Sequence, residues 1–298
     1  MEIISSSYHL GENEIRLSDK YKNIDRLIQK TGISSVWETN GNILSLAEKA
    51  CSKIIDEKWK NKINIFILVT QSPQYYLPAN SIVLANKLGL SKTIFSFDFN
   101  QGCSGFVQAF IVMSHLIGHY KTGLIVTADC YRKKLNPEDR STNSVFSDGA
   151  AAILLKNNKK KKILFEDTIT DGSKRKWLYQ STNGENNNFL HMSGSEIWIF
   201  TLRKVVPQIK KSIEYCERNS LNISGIYIHQ ASKLVVEGIK KSLGENNKLV
   251  FENYMKFGNT VSSTIPILLN EYPINARVGV SIMAGFGVGL TSSVIVYG

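Results

Sequence analysis

Residues 93–110 read TIFSFDFNQGCSGFVQAF, a segment that combines a strand, a glycine break and the start of a helix around Cys103. The apolar run at 93–99 predicts a buried β-strand, and the residues from Ser104 onward predict a helix. At such a junction, free backbone N–H groups and the positive end of the helix dipole favour a thiolate, whereas an unperturbed thiol has a pKa of about 8.5. The position indicates a nucleophile, although a lone cysteine is more commonly a buried, inert residue.

Two polar side chains in the second half of the chain lie at similar junctions. His229 follows the apolar run GIYI at 225–228 and precedes a helical pattern, so we expect it at the carboxyl end of a strand. Asn259 follows a glycine turn at Gly258 and also precedes a helix. Cysteine, histidine and asparagine together are typical of acyl-transfer sites, where the histidine moves protons, the asparagine donates hydrogen bonds and the sulfur carries the acyl group.

The chain also repeats its order of elements. In each half a strand leads to a helix, a second strand and a further helix that begins beside Cys103 or Asn259. The segments FSDGAAAILL at 146–155 and FGVGLTSSVI at 286–295 then close the two halves in a similar way. The repeat predicts an α/β protein whose two halves face each other and bring the candidate residues to one point.

The length of 298 residues, with 43% hydrophobic residues, is sufficient for two packed half-domains. The lysine run at 159–162 is the expected linker between them. We therefore predict an N-terminal half over residues 1–158 that carries the nucleophile. The C-terminal half over residues 159–298 would carry His229 and Asn259.

Composition restricts the compartment and the partners. The longest apolar runs are strand-sized, and no basic segment followed by an apolar stretch opens the chain, so we expect no membrane span, no secretory signal and a cytoplasmic protein. The net charge of +11 favours an acidic or phosphate-bearing partner, but no nucleic-acid motif accompanies it. No metal site is expected, because no pair of cysteines has metal-ligand or redox spacing. The four cysteines are Cys51, Cys103, Cys130 and Cys216.

These residues resemble the motifs of the β-ketoacyl-acyl-carrier-protein synthase III family, which belongs to the thiolase-like condensing enzymes. CSGF at 103–106, HQA at 229–231 and GNT at 258–260 look like its nucleophile, histidine and asparagine motifs. The resemblance implies a thiolase-like, five-layer αβαβα fold of two pseudo-duplicated halves, a homodimer and no cofactor. Further segments in family order are Asp139-Arg140, 146–150, 192–194 and 285–291.

The resemblance also implies a two-stage reaction. An acyl group moves from an acyl-CoA or acyl carrier protein thioester to Cys103, and a malonyl-type extender then loses carbon dioxide and attacks the acyl-enzyme. Backbone N–H groups at Cys103 and Val288 would hold the oxyanion of acyl transfer. His229 and Asn259 would donate hydrogen bonds to the thioester oxygen of the extender. An acidic carrier protein is the expected macromolecular partner.

Further residues are assigned only by their positions in the family motifs. Leu77 stands where many members place a phenylalanine that crosses the dimer interface and caps the acyl pocket, and this smaller cap would admit something other than a short straight primer. Arg26 occupies the place of a tryptophan that stacks on the adenine of CoA, which favours a carrier-protein donor. The implied contacts to substrate and pantetheine are Lys30, Arg140, Met192, Gly194, Ser232 and Phe286.

Related enzyme classes are separated by residues that this chain has or lacks. The C-terminal glycine loop at 283–289 lacks the second cysteine of thiolases, and Asn259 replaces the second histidine of elongating synthases. The amide and hydroxyl at Gln71 and Ser72 replace the acid of hydroxymethylglutaryl-CoA synthases. An acyltransferase of the same fold that acylates an amine or a hydroxyl remains an alternative. A catalytically silent homologue is disfavoured by the intact triad.

Overall fold

The computed structural model describes residues 1–298 and contains two five-stranded sheets, one from each half of the chain. The strands of the first are β1 (Glu2–Leu10), β4 (Ile65–Val69), β5 (Phe95–Phe99), β6 (Thr122–Asp129) and β7 (Gly149–Lys156). Those of the second are β8 (Ile163–Thr170), β11 (Ile223–Ile228), β12 (Val250–Phe251), β13 (Val280–Gly287) and β14 (Thr291–Tyr297). Two small sheets pair β2 (Asn13–Arg16) with β3 (Ser35–Glu38) and β9 (Leu178–Tyr179) with β10 (His191–Met192).

The two large sheets have corresponding strand orders. The first runs β1-β7-β6-β4-β5 and the second runs β8-β14-β13-β11-β12. In each sheet the three strands at one end are parallel and the other two run antiparallel to their neighbours. Each strand of one sheet therefore has a counterpart in the other, as the repeated sequence pattern predicted.

Helices form three further layers around the sheets. Between the sheets lie α6 (Gly105–Tyr120), which contacts β4, β6, β13 and β14, and α12 (Thr264–Glu271), which contacts β1, β7 and β11. On the outer faces, α3 (Ile43–Cys51) and α5 (Asn80–Lys87) cover the first sheet, and α9 (Val206–Arg218) covers the second. This arrangement confirms the five-layer αβαβα fold. The helices are α1 (Leu17–Lys20), α2 (Asp25–Thr31), α3 (Ile43–Cys51), α4 (Glu57–Lys60), α5 (Asn80–Lys87), α6 (Gly105–Tyr120), α7 (Arg140–Asn143), α8 (Gly194–Phe200), α9 (Val206–Arg218), α10 (Lys233–Ser242), α11 (Tyr254–Phe257) and α12 (Thr264–Glu271).

The central helix α6 is buried against both sheets, because its apolar residues cover more than one face. Phe106, Phe110 and Met113 are fully buried in a core cluster that also contains residues of β4 and β14. The ring of Phe110 lies 5.3 Å from that of Tyr297 in an edge-to-face contact. Full burial of such a side chain contributes roughly 1.5–3 kcal/mol. This packing fixes the start of α6, and with it the position of Cys103.

One expectation about the strand before Cys103 is wrong for the single chain. The sequence predicted a buried strand over 93–99, but β5 is the edge strand of the first sheet, and Phe95 is 46% exposed. The apolar pattern of this strand predicts burial on both faces of the sheet. An edge strand can carry the same pattern when another chain covers it.

The loop between the two large sheets contains the predicted boundary of the half-domains. It runs from 157 to 162, between the end of β7 and the start of β8. Leu17, Ile33 and Val36 of the first half pack in the same core cluster as the strands of the second sheet. The division at 158/159 stays a prediction. No helix of the structure combines the length and the apolar character needed to cross a membrane.

Candidate active site

The three candidate catalytic residues lie at the junctions that the sequence predicted. Cys103 sits in a single 3₁₀ turn, Gly102–Ser104, directly before α6. His229 follows β11, and Asn259 precedes the 3₁₀ turn Val261–Ser263 and helix α12. All three side chains are buried, with exposed fractions of 6%, 2% and 4% in chain order.

The end of β13 brings these residues together. The backbone N–H of His229 donates to the carbonyl oxygen of Ala284 at 2.9 Å. The next residue, Gly285, lies against the nucleophile, since a Cβ there would be 3.0 Å from the carbonyl oxygen of Cys103. A Cβ on Gly287 would lie 3.2 Å from the Cys103 sulfur. The turn that contains Cys103 also contacts the turn after Asn259. The triad therefore converges around one strand end, and its glycines permit the close approach.

The amide of Asn259 is held in one orientation. Its Oδ1 accepts a hydrogen bond from the N–H of Val261 at 2.9 Å. A backbone N–H can only donate, so the other end of the amide, Nδ2, remains available to donate to a ligand. Val261 adopts a φ of 55°, a conformation that is rare for a β-branched residue. Backbone strain of this kind is concentrated at functional sites, and the strained residue is the one whose N–H holds the Asn259 amide.

The ring of His229 is held from the opposite side by a hydroxyl. Its Nδ1 lies 2.8 Å from Oγ1 of Thr264, and the same hydroxyl lies 3.2 Å from the carbonyl oxygen of Val261. When Thr264 donates its single hydrogen to Nδ1, the imidazole proton must be on Nε2, which can then donate to a substrate oxygen. Burial lowers the pKa of His229 to about 3, so the ring is neutral at physiological pH.

Thr264→Val should lower decarboxylative turnover by about tenfold, the effect of one hydrogen bond worth roughly 1.4 kcal/mol. Valine has the shape of threonine but cannot hold the His229 tautomer. The matched control is Thr264→Ser, which keeps the hydroxyl and should restore most of kcat. Equal losses in the two variants would show that Thr264 acts by packing alone.

The thiol of Cys103 differs from the expectation drawn from the sequence. Burial raises its pKa, the charge of Asp129 raises it further, and only its own backbone N–H lowers it. The predicted preference for a thiolate is therefore wrong for the resting protein, because loss of solvent outweighs the effect of the helix start. The sulfur is a thiol that must release its proton when it attacks a donor, and a neutral imidazole accepts a proton on whichever ring nitrogen is unprotonated.

Asp129 is a buried acid that sequence reasoning missed. It ends β6 and is fully buried, and its carboxylate accepts hydrogen bonds from the N–H of Gln71 at 2.8 Å and from Oγ of Ser262 at 2.5 Å. Burial raises the pKa of Asp129 to about 6. Because Gln71 belongs to the first half and Ser262 to the second, this carboxylate joins the halves beside the nucleophile. Its only signal in the sequence is an acid at the end of an apolar strand.

A cleft of about 550 Å³ leads from the surface to Asn259. Its wall contains apolar side chains, among them Leu27 and Trp198. A largely apolar cleft whose lining includes a few polar groups is suited to the arm of a thioester. Four of the predicted contact residues line it, namely Lys30, Met192, Gly194 and Ser232.

Two other predicted contact residues lie outside the lining of the cleft. Arg140 is exposed, donates from Nη1 to the carbonyl oxygen of Lys22 at 3.2 Å, and has its guanidinium 5.7 Å from the ring centre of Tyr21. Phe286 is buried and meets the ring of His229 edge to face at 5.5 Å. Arg140 therefore presents a cation and an aromatic surface outside the cleft, whereas Phe286 supports the histidine. Their roles toward substrate stay predictions.

Val288 and Leu77 occupy very different surroundings. Val288 is half-buried in the turn between β13 and β14, and a Cβ on Gly102 would lie 2.4 Å from its Cγ1. This places its segment against the turn that carries Cys103, as an oxyanion donor requires, and its role stays a prediction. Leu77 is 87% exposed and does not line the cleft of the single chain.

Family models match two segments of the chain. Residues 97–172 match the family model described as 3-oxoacyl-[acyl-carrier-protein (ACP)] synthase III, and residues 216–297 match the model for its C-terminal part. The β-ketoacyl-[acyl-carrier-protein] synthase III of Clostridium acetobutylicum is 29% identical over 313 residues, which cover 98% of this chain and 96% of that protein. The protein of the same name from Streptococcus agalactiae is 32% identical over 286 residues, which cover 90% and 88%.

A solved structure gives the same result. The crystal structure of 3-oxoacyl-[acyl-carrier-protein] synthase III from Aquifex aeolicus VF5 has a TM-score of 0.87 and 25% sequence identity with this chain. The similarity covers 99% of this chain and 98% of that one. The relatives and the solved structure align with this chain over 90% or more of its length, and the family models match both of its halves. The chain belongs to the β-ketoacyl-[acyl-carrier-protein] synthase III family.

Proposed function

We propose that this protein makes 3-oxoacyl thioesters by acyl transfer to Cys103, followed by decarboxylative Claisen condensation with a malonyl-type thioester. The observation that carries the proposal is the convergence of His229 and Asn259, two neutral hydrogen-bond donors, on the segments that pack against the buried Cys103. Asn259 offers Nδ2, because its Oδ1 is occupied by the N–H of Val261. His229 offers Nε2–H, because Thr264 can occupy its Nδ1.

The first step transfers the acyl group. The Cys103 sulfur attacks the carbonyl carbon of the donor thioester while its proton moves to Nε2 of His229, which is unprotonated in the tautomer whose Nδ1–H donates to Oγ1 of Thr264. The backbone N–H groups of Cys103 and Val288 hold the oxyanion that forms. The bond from the carbonyl carbon to the donor sulfur then breaks, and the leaving thiolate takes the proton from His229. The ring becomes neutral again, which is the state that its low pKa favours. Its remaining proton then moves from Nδ1 to Nε2, and Thr264 donates to Nδ1, before the second step.

The second step forms the new carbon–carbon bond. The malonyl carboxylate leaves as carbon dioxide, and its bonding electrons form an enolate whose oxygen accepts hydrogen bonds from Nε2–H of His229 and Nδ2 of Asn259. The enolate carbon attacks the acyl carbonyl, and the Cys103 sulfur leaves as a thiolate that takes a proton from water. This chemistry needs donors and no strong base. A neutral, buried imidazole and a fixed carboxamide supply them.

The test is a turnover assay in which the donor and the acceptor are varied. With an acyl-CoA or acyl-carrier donor and malonyl-carrier protein, the protein should release one carbon dioxide for each 3-oxoacyl thioester formed. The alternative acyltransferase function predicts that an amine or hydroxyl acceptor is acylated while malonyl thioester is not consumed. That result would overturn the proposal and leave the acyl-cysteine in place.

An acidic carrier protein fits the charge of the chain as substrate carrier. The net charge is +11, and Lys30 lies in the wall of the cleft that leads to Asn259. Arg140 and Tyr21 offer a cation beside an aromatic ring for the nucleotide end of CoA. Both acyl-CoA and carrier thioesters are therefore proposed as donors.

A homodimer is proposed from the open edge of the first sheet. Strand β5 has no neighbour on its outer side, and large apolar side chains are exposed on it, on α5 and on the segment that leads into α5. Single chains rarely leave such an edge and patch uncovered. An isologous dimer would cover both and bring Leu77 to the partner. The exposed side chains are Tyr75, Tyr76, Leu77, Ile82 and Phe95.

Sedimentation should therefore give a dimer for the unmodified protein. Phe95→Lys should shift the equilibrium toward the monomer, because the interface would remove the ammonium group of the lysine from water. Val278→Lys changes an equally apolar and even more exposed side chain away from this edge and should leave the dimer intact. A monomer at every protein concentration would contradict the proposal.

A further inference from the structure

A second pocket lies on the other side of helix α8 from the cleft. It has a volume of about 500 Å³ and shares no lining residue with the cleft. Helix α8 separates the two, because Trp198 lines the cleft and the next residue, Ile199, lines the second pocket. None of the residues that line the second pocket takes part in the proposed reaction.

Half of the residues that line the second pocket are apolar. They come from the end of β8, the 3₁₀ turn Gly172–Trp177, helix α8 and the turn between β13 and β14. Ile199 is 39% exposed although it is a large apolar side chain. Concave apolar surface that is open to water is typical of a ligand site. The apolar lining residues are Ile169, Trp177, Ile199, Phe200 and Leu290.

Three cations line the same pocket, and their charge is not compensated. Lys174, Arg203 and Lys204 take part in no salt bridge. The only acid in the lining is Asp171, whose Oδ1 already accepts hydrogen bonds from the N–H and the hydroxyl of Ser173. Its pKa is lowered first by the Ser173 hydrogen bond and then by Lys174 and Lys204, which therefore lie close to it. Positive charge exceeds negative charge in this lining, and a bound anion would relieve the repulsion between the cations.

A wide helical turn brings two of these cations to the same side. Residues Thr201–Val205 form a π-helical turn directly after α8. Because a π turn holds more residues than an α-helical turn, neighbouring side chains are separated by a smaller angle. Arg203 and Lys204 are adjacent in this turn, and both line the pocket. Single π turns within helices are frequent at functional sites, and this one places two positive charges at one pocket.

The surroundings of Trp177 favour an alkyl chain over a nucleobase as the body of the anion. The ammonium group of Lys174 lies 5.0 Å from the centre of the Trp177 ring and covers one of its faces. A nucleobase would need a ring face for stacking and hydrogen bonds for its polar edge. Apart from the three cations, the lining offers only Thr170 and Asp171 as polar residues. An alkyl chain needs neither and is stabilised by each apolar side chain that it covers.

We propose that the second pocket binds an amphipathic anion, a carboxylate with a medium-length alkyl chain, whose head group contacts Arg203 and Lys204 while the chain covers the apolar lining. The site is separate from the cleft and does not depend on the proposed function. It adjoins the turn that contains Val288, because Leu290 and Asp171 exchange two backbone hydrogen bonds of 2.8 and 2.9 Å. A bound anion therefore contacts the same turn as the candidate active site.

The experiment is fluorine NMR of the full chain labelled with fluorotryptophan. Trp177 lines the second pocket and Trp198 lines the cleft, so one spectrum reports on both sites, and Trp177→Phe and Trp198→Phe assign the two signals. Octanoate carries a charge and a chain, octanol carries the chain alone, and inorganic phosphate carries charge alone. We expect octanoate to shift the Trp177 signal at a concentration about tenfold lower than either other probe, and lower than it needs to shift the Trp198 signal.

Variants of the cations test the head-group contact. Arg203→Gln and Lys204→Gln should each raise the octanoate concentration for half of the Trp177 shift by about tenfold, the effect of losing one hydrogen bond to a charged group. Both side chains are exposed, so the fold should persist. Lys210→Gln removes an equally exposed cation on α9, outside the lining of the second pocket, and should leave the titration unchanged.

Three results would overturn the proposal. The first is a Trp177 signal that octanoate does not shift, or a shift of the Trp198 signal alone, which would place the anion in the cleft. The second is octanol or phosphate acting at the same concentration as octanoate, since charge and chain would then not act together. The third is an unchanged titration in both Arg203→Gln and Lys204→Gln.

Discussion

Cys103→Ala is expected to abolish the acyl adduct and all product formation. The sulfur is the only thiol at the start of α6, and the other three cysteines, Cys51, Cys130 and Cys216, lie in other segments. Alanine keeps the backbone N–H of residue 103, so the proposed oxyanion donor and the fold remain. Intact-protein mass spectrometry after incubation with an acyl thioester measures the result directly, because a single acyl mass is either present or absent.

Cys130→Ala is the matched control for this variant. Its thiol is also buried, and burial raises its pKa as it does for Cys103. It follows Asp129 on the far side of β6 from the central layer, packed with α3 and α5 residues in a separate core cluster. The adduct should persist in this variant. Labelling of Cys51, Cys130 or Cys216 in the unmodified protein would refute the assignment of the nucleophile.

Asn259→Ala is expected to separate the two steps of the reaction. The acyl adduct on Cys103 should still form, because the proposed oxyanion donors of that step are backbone N–H groups. Decarboxylation should fall by about two to three powers of ten, which is the usual effect of removing one donor to a developing oxyanion. Rates of adduct formation and of carbon dioxide release, measured on the same sample, give the two effects separately.

Asn270→Ala provides the comparison for loss of an asparagine amide on the neighbouring helix. Its Nδ2 donates to the carbonyl oxygen of Ser6 at 2.7 Å, away from the candidate site. This variant should lose some stability and keep both rates per folded molecule. An equal loss of acylation and decarboxylation in Asn259→Ala would mean that the asparagine shapes the site as a whole, and the assigned role would be wrong.

Much of the fold follows from local patterns in the chain. The two halves repeat the order strand, helix, strand, helix. In the structure each strand of the first sheet has a counterpart at the same place in the strand order of the second sheet. The edge position of β5 could not be predicted from its sequence. The alternation of apolar and polar residues around Phe95 and Phe97 is the same whether the strand lies at an open edge or is covered by a neighbour. Which strand is outermost depends on contacts between distant segments. Local periodicity does not contain that information.

The positions of the triad were predictable for a similar reason. Cys103, His229 and Asn259 each stand where an element ends or begins, and glycine marks the nearby turns. Thr264 and Asp129 were not predictable, because their roles depend on hydrogen bonds between segments far apart in the chain, such as Asp129 to Ser262. Nothing in the spacing of these residues distinguishes them from ordinary polar positions in a core.

For Cys103 the local pattern predicts a lowered thiol pKa, whereas the pKa is raised in the folded chain. The helix start favours a thiolate, and that effect is present in the contribution of the Cys103 backbone N–H. Burial and the Asp129 carboxylate oppose it and raise the pKa. The balance depends on how deeply the residue is enclosed by β13 and the turn at 287–290. The sequence alone does not reveal that depth.

The most direct measurement of the central claim is a single-turnover experiment on acylated protein. The acyl-enzyme is isolated, malonyl-carrier protein is added, and loss of the adduct, release of carbon dioxide and appearance of the 3-oxoacyl thioester are followed together. The account predicts that all three occur at one rate and in equal amounts, and that the adduct maps to Cys103. Discharge of the adduct without release of carbon dioxide, or release of carbon dioxide while the adduct persists, would contradict it.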